Sequence, residues 1–391
     1  MKILVFSASP YLNTSIGKMC SSVVSGFAAE GHEVEIAAWD HNTDYYLPEK
    51  NRKYYFENKG KKHLLYALDS LSDKTSVEMF EIIKSSNPDV VVSLGNYWET
   101  ACISSIKSIR PRWFSWVSIL MTGRMPVEPS FQDVLDCADE IITTTQQGFE
   151  IISKLTPTNV SYVPYGYDEN IFRPCDKKYK LSIVANLKNT QNSNLPAYLM
   201  SLSRLKHHFG ISFSSYLHTN IDDVGEYDIK SLIKEYDIED VIELPKQFVA
   251  VWHGDADMEL RSRYESSLVV VDTSMHASTG ISVLEAMASG CIPLVAETGI
   301  FTEIIEDKTN FISSNTFIGE KHHRLEIISP FSLALKLKKI NDCSTYEKNK
   351  KMMKSIKKSK RYIENRFVID ISKIVDKAVS GSPALAVYPL T

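Results

Sequence analysis

Short apolar runs alternate with segments whose apolar residues recur every three or four positions, along almost the whole chain. Residues 3–7 are the first run and predict a buried parallel strand. After a loop over 8–17, residues 18–30 place Met19, Val23, Val24 and Phe27 on one helical face, and Gly31 provides the left-handed stop. Residues 34–38 predict the second strand. Strand, loop, helix and strand in that order open a doubly wound sheet. Further strands are expected at 90–94, 113–120, 140–143 and 160–164, and helices at 64–71, 76–85, 131–138 and 147–154. The polar stretch 41–62 reads as an insertion or loop.

The turn-rich run from Tyr165 to Pro174, followed by the polar stretch 175–180, breaks this alternation. It then restarts. Strands are expected at 181–185, 212–218, 241–244, 268–272 and 292–296, with helices at 196–209, 229–236, 258–266 and about 282–289. Helices over 331–341, 346–366 and 367–379 follow, and the tail 381–391 reads as loose. A chain of 391 residues exceeds the ~250–300 that one core serves, so two domains are expected. The boundaries implied are 1–174, 175–345 and a helical end at 346–391. Two α/β halves of this kind place their ligands beyond the carboxyl ends of the strands, in a cleft.

Charge changes the picture only by exclusion. A net charge of -4 argues against a generally basic nucleic-acid binder. Six scattered cysteines (Cys20, Cys102, Cys137, Cys175, Cys291 and Cys343), with no CxxC spacing, read as reduced thiols of a cytoplasmic protein. The chain opens directly on an apolar strand, so no signal peptide is expected. No apolar run approaches the ~18 residues that cross a bilayer, so stable membrane insertion is not expected.

The chemistry concentrates at 276–296, His-Ala-Ser-Thr-Gly-Ile-Ser-Val-Leu-Glu-Ala-Met-Ala-Ser-Gly-Cys-Ile-Pro-Leu-Val-Ala. It reads as a small-residue loop, a helix, a glycine stop and a strand. The helix start at Thr279, Gly280, Ile281 and Ser282 offers free N–H groups and a partial positive charge, a ready site for a diphosphate. Glu285, one turn in, can accept hydrogen bonds from a ribose diol. By shape alone the stretch is also compatible with an ordinary βαβ turn.

The segment Val283-Leu284-Glu285-Ala286-Met287-Ala288-Ser289-Gly290, with Ala296 to Ile305 downstream, resembles the donor signature of the retaining family-4 glycosyltransferases. In that signature two glutamates are separated by seven intervening residues. Weaker phrases agree in order: residues 13–18, Gly31-His32-Glu33-Val34, Asn87 to Val92, Tyr162 to Pro174, and Met258 to Tyr264. The resemblance spans most of residues 1–310. It implies a GT-B fold, in which two Rossmann-like α/β domains face a cleft and C-terminal helices cross back to the N-terminal domain. The first domain would take the acceptor and the second the nucleotide-sugar donor. Carried over by position, Glu285 would bind the ribose and Thr279, Gly280 and Ile281 the diphosphate, with Ser278, Ser282 and Asn186 as further donor-binding candidates. Gly17 would approach the reacting sugar, and His253 would lie near the base.

Two departures stand out. Ala277 occupies the place of the first glutamate, which contacts the donor sugar in the family, so His276 or Ser278 is the candidate substitute. The Arg and Lys expected early in the second domain are replaced by Asn186 to Asn194, with Lys188 as the one cation and many amides. Lys188 is therefore the candidate for charge on the leaving diphosphate. Asn96 and Arg124 are acceptor candidates on the facing domain. No metal or other cofactor is expected. The motif His253-Gly254-Asp255-Ala256-Asp257 does not make an oxygen cage, and Asp255 or Asp257 reads better as a helix cap.

The function implied is transfer of a sugar from a nucleoside diphosphate, UDP foremost, to an acceptor hydroxyl of a glycan or small molecule, with retention. Lys348 to Arg361 holds eight basic residues in fourteen. That run leaves open a solvated helix face, an anionic surface contact, or an enzyme acting on hydroxymethylated DNA bases. The missing first glutamate leaves open a non-catalytic nucleotide-sugar binder.

Overall fold

The structure is a computed structural model, and it describes residues 1–40, 53–68, 71–72, 74–122, 127–221, 225–246, 255–319 and 323–381. The first half builds β1 (Lys2–Ala8), α1 (Ser15–Ala29), β2 (Glu33–Trp39), β3 (Lys53–Asn58), β4 (Lys61–Ala67), α2 (Thr75–Ser86), β5 (Val90–Gly95), α3 (Tyr97–Ile109), β6 (Ser115–Leu120), α4 (Gln132–Cys137), β7 (Glu140–Thr143), α5 (Gln146–Ile152) and β8 (Asn159–Tyr162). These strands form one sheet in the order β3-β4-β2-β1-β5-β6-β7-β8. It is parallel except at the β3–β4 edge. β1 and β5 are almost wholly buried, as runs such as Ile3-Leu4-Val5-Phe6 require when helices cover both faces.

The second half builds β9 (Ser182–Asn186), α6 (Leu195–Ser203), β10 (Ser214–His218), α7 (Ile229–Glu235), β11 (Ile242–Glu243), α8 (Asp255–Ser266), β12 (Val269–Asp272), α9 (Ile281–Ala288), β13 (Ile292–Ala296), α10 (Phe301–Ile304), β14 (Phe311–Ile312), β15 (Ser314–Ile318), β16 (Arg324–Ile328), α11 (Pro330–Asp342), α12 (Thr345–Ser359) and α13 (Glu364–Gly381). Its parallel sheet runs β11-β10-β9-β12-β13-β14, and β15–β16 is a separate hairpin.

Three expectations are corrected. The helix expected at 64–71 is β4, which pairs Leu65 with Ile36 of β2 and turns through Lys59 and Gly60, both at positive φ (49° and 76°). Two successive left-handed residues are the hairpin geometry whose twist matches the flanking strands. Part of the stretch read as a loop at 41–62 is accordingly β3. The break expected between helices at 366 and 367 lies earlier, at residues 360–363, between α12 and α13. The residues between them run beside the first crossing of the chain: the Tyr167 N–H donates to the Tyr362 carbonyl (3.1 Å) and the Glu364 N–H to the Tyr167 carbonyl (3.0 Å). A Cβ on Gly166 would come within 2.4 Å of the Tyr362 backbone, so the two crossings touch there.

α12 packs on α9, and α13 returns to the first sheet, against α1 and β6. Val368 fills the space over Gly26, and Lys377 pairs with Glu140 at 2.9 Å. One apolar cluster is continuous from Met19, Phe27 and Phe367 through Phe172 to Tyr264, Ile281 and Val283 of the second sheet's helices.

Candidate active site

The carboxyl ends of β9 and β12 carry the two loops that build the second-sheet side of the site. Thr279 is buried, and Gly280 caps α9 in the left-handed region (φ 58°, ψ 24°). A Cβ there would come within 2.9 Å of Ile300. Gly299 sits at φ 48°, where a Cβ would strike the Ala277 carbonyl at 1.9 Å, and the Ile300 N–H donates to that same carbonyl (3.1 Å). Position 277 therefore serves the loop through its backbone.

Asn192 clamps the other side. Its carbonyl accepts from the Met275 N–H (2.8 Å), its Oδ1 accepts from the His276 N–H (3.2 Å), and its Nδ2 donates to the His276 carbonyl (3.3 Å). His276 and Ser278 are half-buried on this loop, as is Ser282 in the first turn of α9. Free N–H groups at the start of α9 and a rigid loop before it suit an anion. Lys188, between β9 and α6, is exposed, and among the described residues it has no carboxylate partner. Asn186, at the end of β9, is half-buried and hydrogen-bonds the side chain of Tyr264.

Glu285 is 2% exposed, and its surroundings come from both sheets. Lys18 of α1 donates to Glu285 Oε1 (2.9 Å) and to Asp257 Oδ1 (2.5 Å), and Tyr264 donates to Glu285 Oε2 (3.4 Å). Burial raises the Glu285 carboxyl to about 7; Lys18 opposes that shift and Asp257 adds to it. Burial acts against the Lys18 ammonium, but the two carboxylates outweigh it and its pKa is raised. Lys18 also lies 5.8 Å from the centroid of the Phe172 ring. Asp257, expected to cap α8, lies within its first turn and meets Lys18 across the cleft.

Sequence reasoning did not single out Lys18, although it follows the quoted Gly17. Sequence separations of 239 and 267 residues to its partners leave no local trace. Nor did it give a role to Glu303. Its Oε1 accepts from the Gln146 N–H (2.7 Å), at the start of α5, and its Oε2 from the Tyr162 hydroxyl (2.9 Å), tying α10 to the first sheet. Thr144 adds a hydroxyl bond to the Ser278 carbonyl (3.4 Å). At the end of β10, beside Asn186 in the sheet, His218 is driven down to about 4 by burial and is neutral at physiological pH.

The remaining candidates are placed as follows. Gly17 is buried in α1, where a Cβ would meet the Leu12 carbonyl at 2.2 Å, so packing of the 9–12 turn already requires glycine. Asn96 begins α3; its N–H and Nδ2 both donate to Glu99 Oε2 (2.6 and 2.9 Å), which is helix capping. His253 and Arg124 lie outside the described residues. In the basic run, Lys348 donates to the Asn341 carbonyl (2.9 Å) and Lys351 pairs with Asp307 (3.1 Å), whereas Lys350, Lys354 and Lys357 are exposed on α12 and Arg361 is exposed just beyond its end. Among the described residues no three His, Cys, Asp or Glu side chains are grouped to hold a metal ion, and no helix is long and apolar enough to cross a membrane.

Residues 223–328, which include β12, the clamped loop and α9, match the family Glycosyl transferases group 1. No curated protein matches the chain in sequence. Among solved structures, the sucrose-phosphate synthase of Thermosynechococcus elongatus superposes with a TM-score of 0.76 at 12% identity, covering 98% of this chain and 100% of that one. A glycosyltransferase from Rickettsia africae gives 0.71 at 14% identity, with 97% and 99% covered. The E. coli trehalose-6-phosphate protein bound with UDP-2-fluoro glucose gives 0.69 at 11%, with 97% and 99% covered. At these identities the structural likeness establishes the GT-B fold, and the matched segment coincides with the loop and helix that hold Glu285. A segment that matches the glycosyl transferases group 1 family thus lies, at residues 223–328, within a chain of the GT-B fold.

Proposed function

We propose that the chain transfers a glycosyl group from a nucleoside-diphosphate sugar, UDP foremost, to an acceptor hydroxyl with retention of anomeric configuration. The observation that carries this reading is the buried carboxylate of Glu285, one turn inside a helix whose left-handed glycine start leaves its first N–H groups for an anion. Ribose hydroxyls would donate to Glu285, and the diphosphate would lie on Thr279, Gly280 and Ile281. Asn186, at the end of β9, belongs to the base and ribose side. The bound UDP-2-fluoro glucose of the E. coli neighbour supports the choice of UDP.

In the transfer, the bond from the anomeric carbon to the phosphate oxygen breaks while the acceptor oxygen bonds the same face of that carbon. The acceptor proton passes to the departing phosphate oxygen. The protein's task is then to hold the two reactants in register and to stabilise charge on the leaving group. Lys188, exposed and without a carboxylate partner among the described residues, and the N–H groups of α9 suit the second task. With Ala277 lacking a carboxylate, His276 and Ser278 are the groups nearest in the chain to take the sugar hydroxyls. The acceptor would enter from the Asn96 side, as a sugar, a sugar phosphate or a similar small molecule. The enzyme would work in the cytoplasm, where such donors are made.

Thermal shift with a panel of nucleoside diphosphates and their sugars tests the site. Ligand at ~100 times its dissociation constant adds about 2.7 kcal/mol of stability. One nucleotide should stabilise the wild type and not Glu285→Ala. A shift of equal size in the variant would remove Glu285 from the donor site.

A further inference from the structure

The second-sheet side of the site is short of cations for a leaving diphosphate. Between Asn186 and Asn194 there is only Lys188, followed by amides and hydroxyls. The facing sheet contributes a cation at the right place. Lys18 projects from the first turns of α1, and its ammonium lies 2.9 Å from Glu285 Oε1. Glu285 is four residues into α9, so about 6 Å of helix rise separates it from the N–H groups at the helix start. Ile281, at that start, lines the same groove as Lys18, Asp257 and Glu285.

Three charged groups meet in this groove, one cation and two carboxylates. The second carboxylate is not needed to neutralise Lys18. Its effect is positional: Asp257 and Glu285 hold the ammonium from two sides, with Phe172 under it. Each Glu285 oxygen has a second lone pair, so the carboxylate can accept ribose hydroxyls while Lys18 remains beside it. A diphosphate reaching from that ribose to the start of α9 would run past the ammonium.

Building on the donor-site reading above, we propose that Lys18 is the second donor cation: supplied by the first sheet, and aimed by Asp257 and Glu285, it binds the donor's diphosphate. The reaction's charge would then be met from both sides of the cleft, by Lys188 on one and Lys18 on the other. A donor could be fully engaged only when the two sheets face one another as they do here.

The test is calorimetric titration with uridine and UDP, guanosine and GDP, and adenosine and ADP. The proteins are the wild type, Lys18→Gln, Lys18→Arg and the double variant Lys18→Gln/Asp257→Asn. The double variant removes one carboxylate along with the cation, so the groove is not left with two uncompensated charges. For the diphosphate that binds the wild type, Lys18→Gln and the double variant should each lose about tenfold or more in affinity, the scale of a lost hydrogen bond to a charged group. Affinity for the parent nucleoside should fall by much less than affinity for its diphosphate, the difference separating the phosphate contact from the change in Glu285 ionisation. Lys18→Arg should recover most of the diphosphate affinity. Wild-type affinity for the diphosphate in the double variant would overturn the proposal. So would tightening of nucleoside and diphosphate alike, because Lys18 would then only compete for Glu285. If no diphosphate binds even the wild type, the donor-site reading itself fails, and this proposal with it.

Discussion

Glu285 is ionised at a cost that its surroundings offset only in part. Its carboxyl titrates at about 7 because burial raises it further than Lys18 lowers it. An acid whose folded value lies above its unfolded one favours the folded state most when protonated. The contribution is complete below the ordinary carboxylate range and is lost as pH rises from about 4.5 through 7. Glu285→Gln does not titrate there, so its stability relative to wild type should increase between pH 5 and pH 8, by on the order of 3 kcal/mol at most. Denaturant melts at the two pH values measure this; an unchanged difference would mean that Glu285 is not strained. Binding should run the other way. Ribose hydroxyls donate to the ionised form, so nucleotide affinity in the wild type should rise across pH 7 and stay flat in Glu285→Gln.

At the scale of elements, the donor loop is set by glycines whose neighbours leave no room for a side chain. Gly299→Ala would press a methyl group into the Ala277 carbonyl at a positive φ. It should cost about 1–3 kcal/mol and lower nucleotide affinity with it, because Ala277 and α9 move together. If stability falls while nucleotide affinity does not, the loop does not carry the donor. The glycine-punctuated β12–α9–β13 unit was legible in the sequence because its strand, loop and helix pattern is local. So were β1, α1 and β2. The hairpin β3–β4 was not: an unbroken apolar run such as Leu64-Leu65-Tyr66-Ala67-Leu68 fits either period, and only the Lys59-Gly60 turn argues for strands. α3 was passed over although Asn96 and Glu99 form a capping box, a signal that sequence can carry. Two helices were expected here, but the place of their break comes from pairing with Tyr167, nearly two hundred residues away, and no local pattern encodes that. The roles of Lys18, Asp257 and Glu303 were missed for the same reason: each meets its partner across the cleft.

At the scale of the molecule, the two sheets are tied by a few polar contacts spread around a continuous apolar seam. Glu303 is the most connected of these, accepting from an α5 N–H and from Tyr162, and burial raises its carboxyl too. Glu303→Ala would leave the Gln146 N–H at the start of α5 and the half-buried Tyr162 hydroxyl without their acceptor, while the Thr145 cap of α5 remains. It should cost about 1–3 kcal/mol and widen the solution scattering profile relative to wild type. An unaltered profile would place the restraint elsewhere, in the Lys18 cluster or in the seam. The chain itself supplies a different restraint. It passes between the sheets twice, near Tyr167 and near Tyr362, and the two passages are hydrogen-bonded to each other with Gly166 pressed between them. Two separate tethers would allow the halves to slide, twist or part. Two tethers fused along one line leave a single easy degree of freedom, rotation about that line, as a book opens on its spine. Displacement then grows with distance from the spine, so the Asn192-clamped loop and the ends of β5 and β6 would swing furthest apart, and the outer edge of the cleft becomes the doorway for donor and acceptor alike.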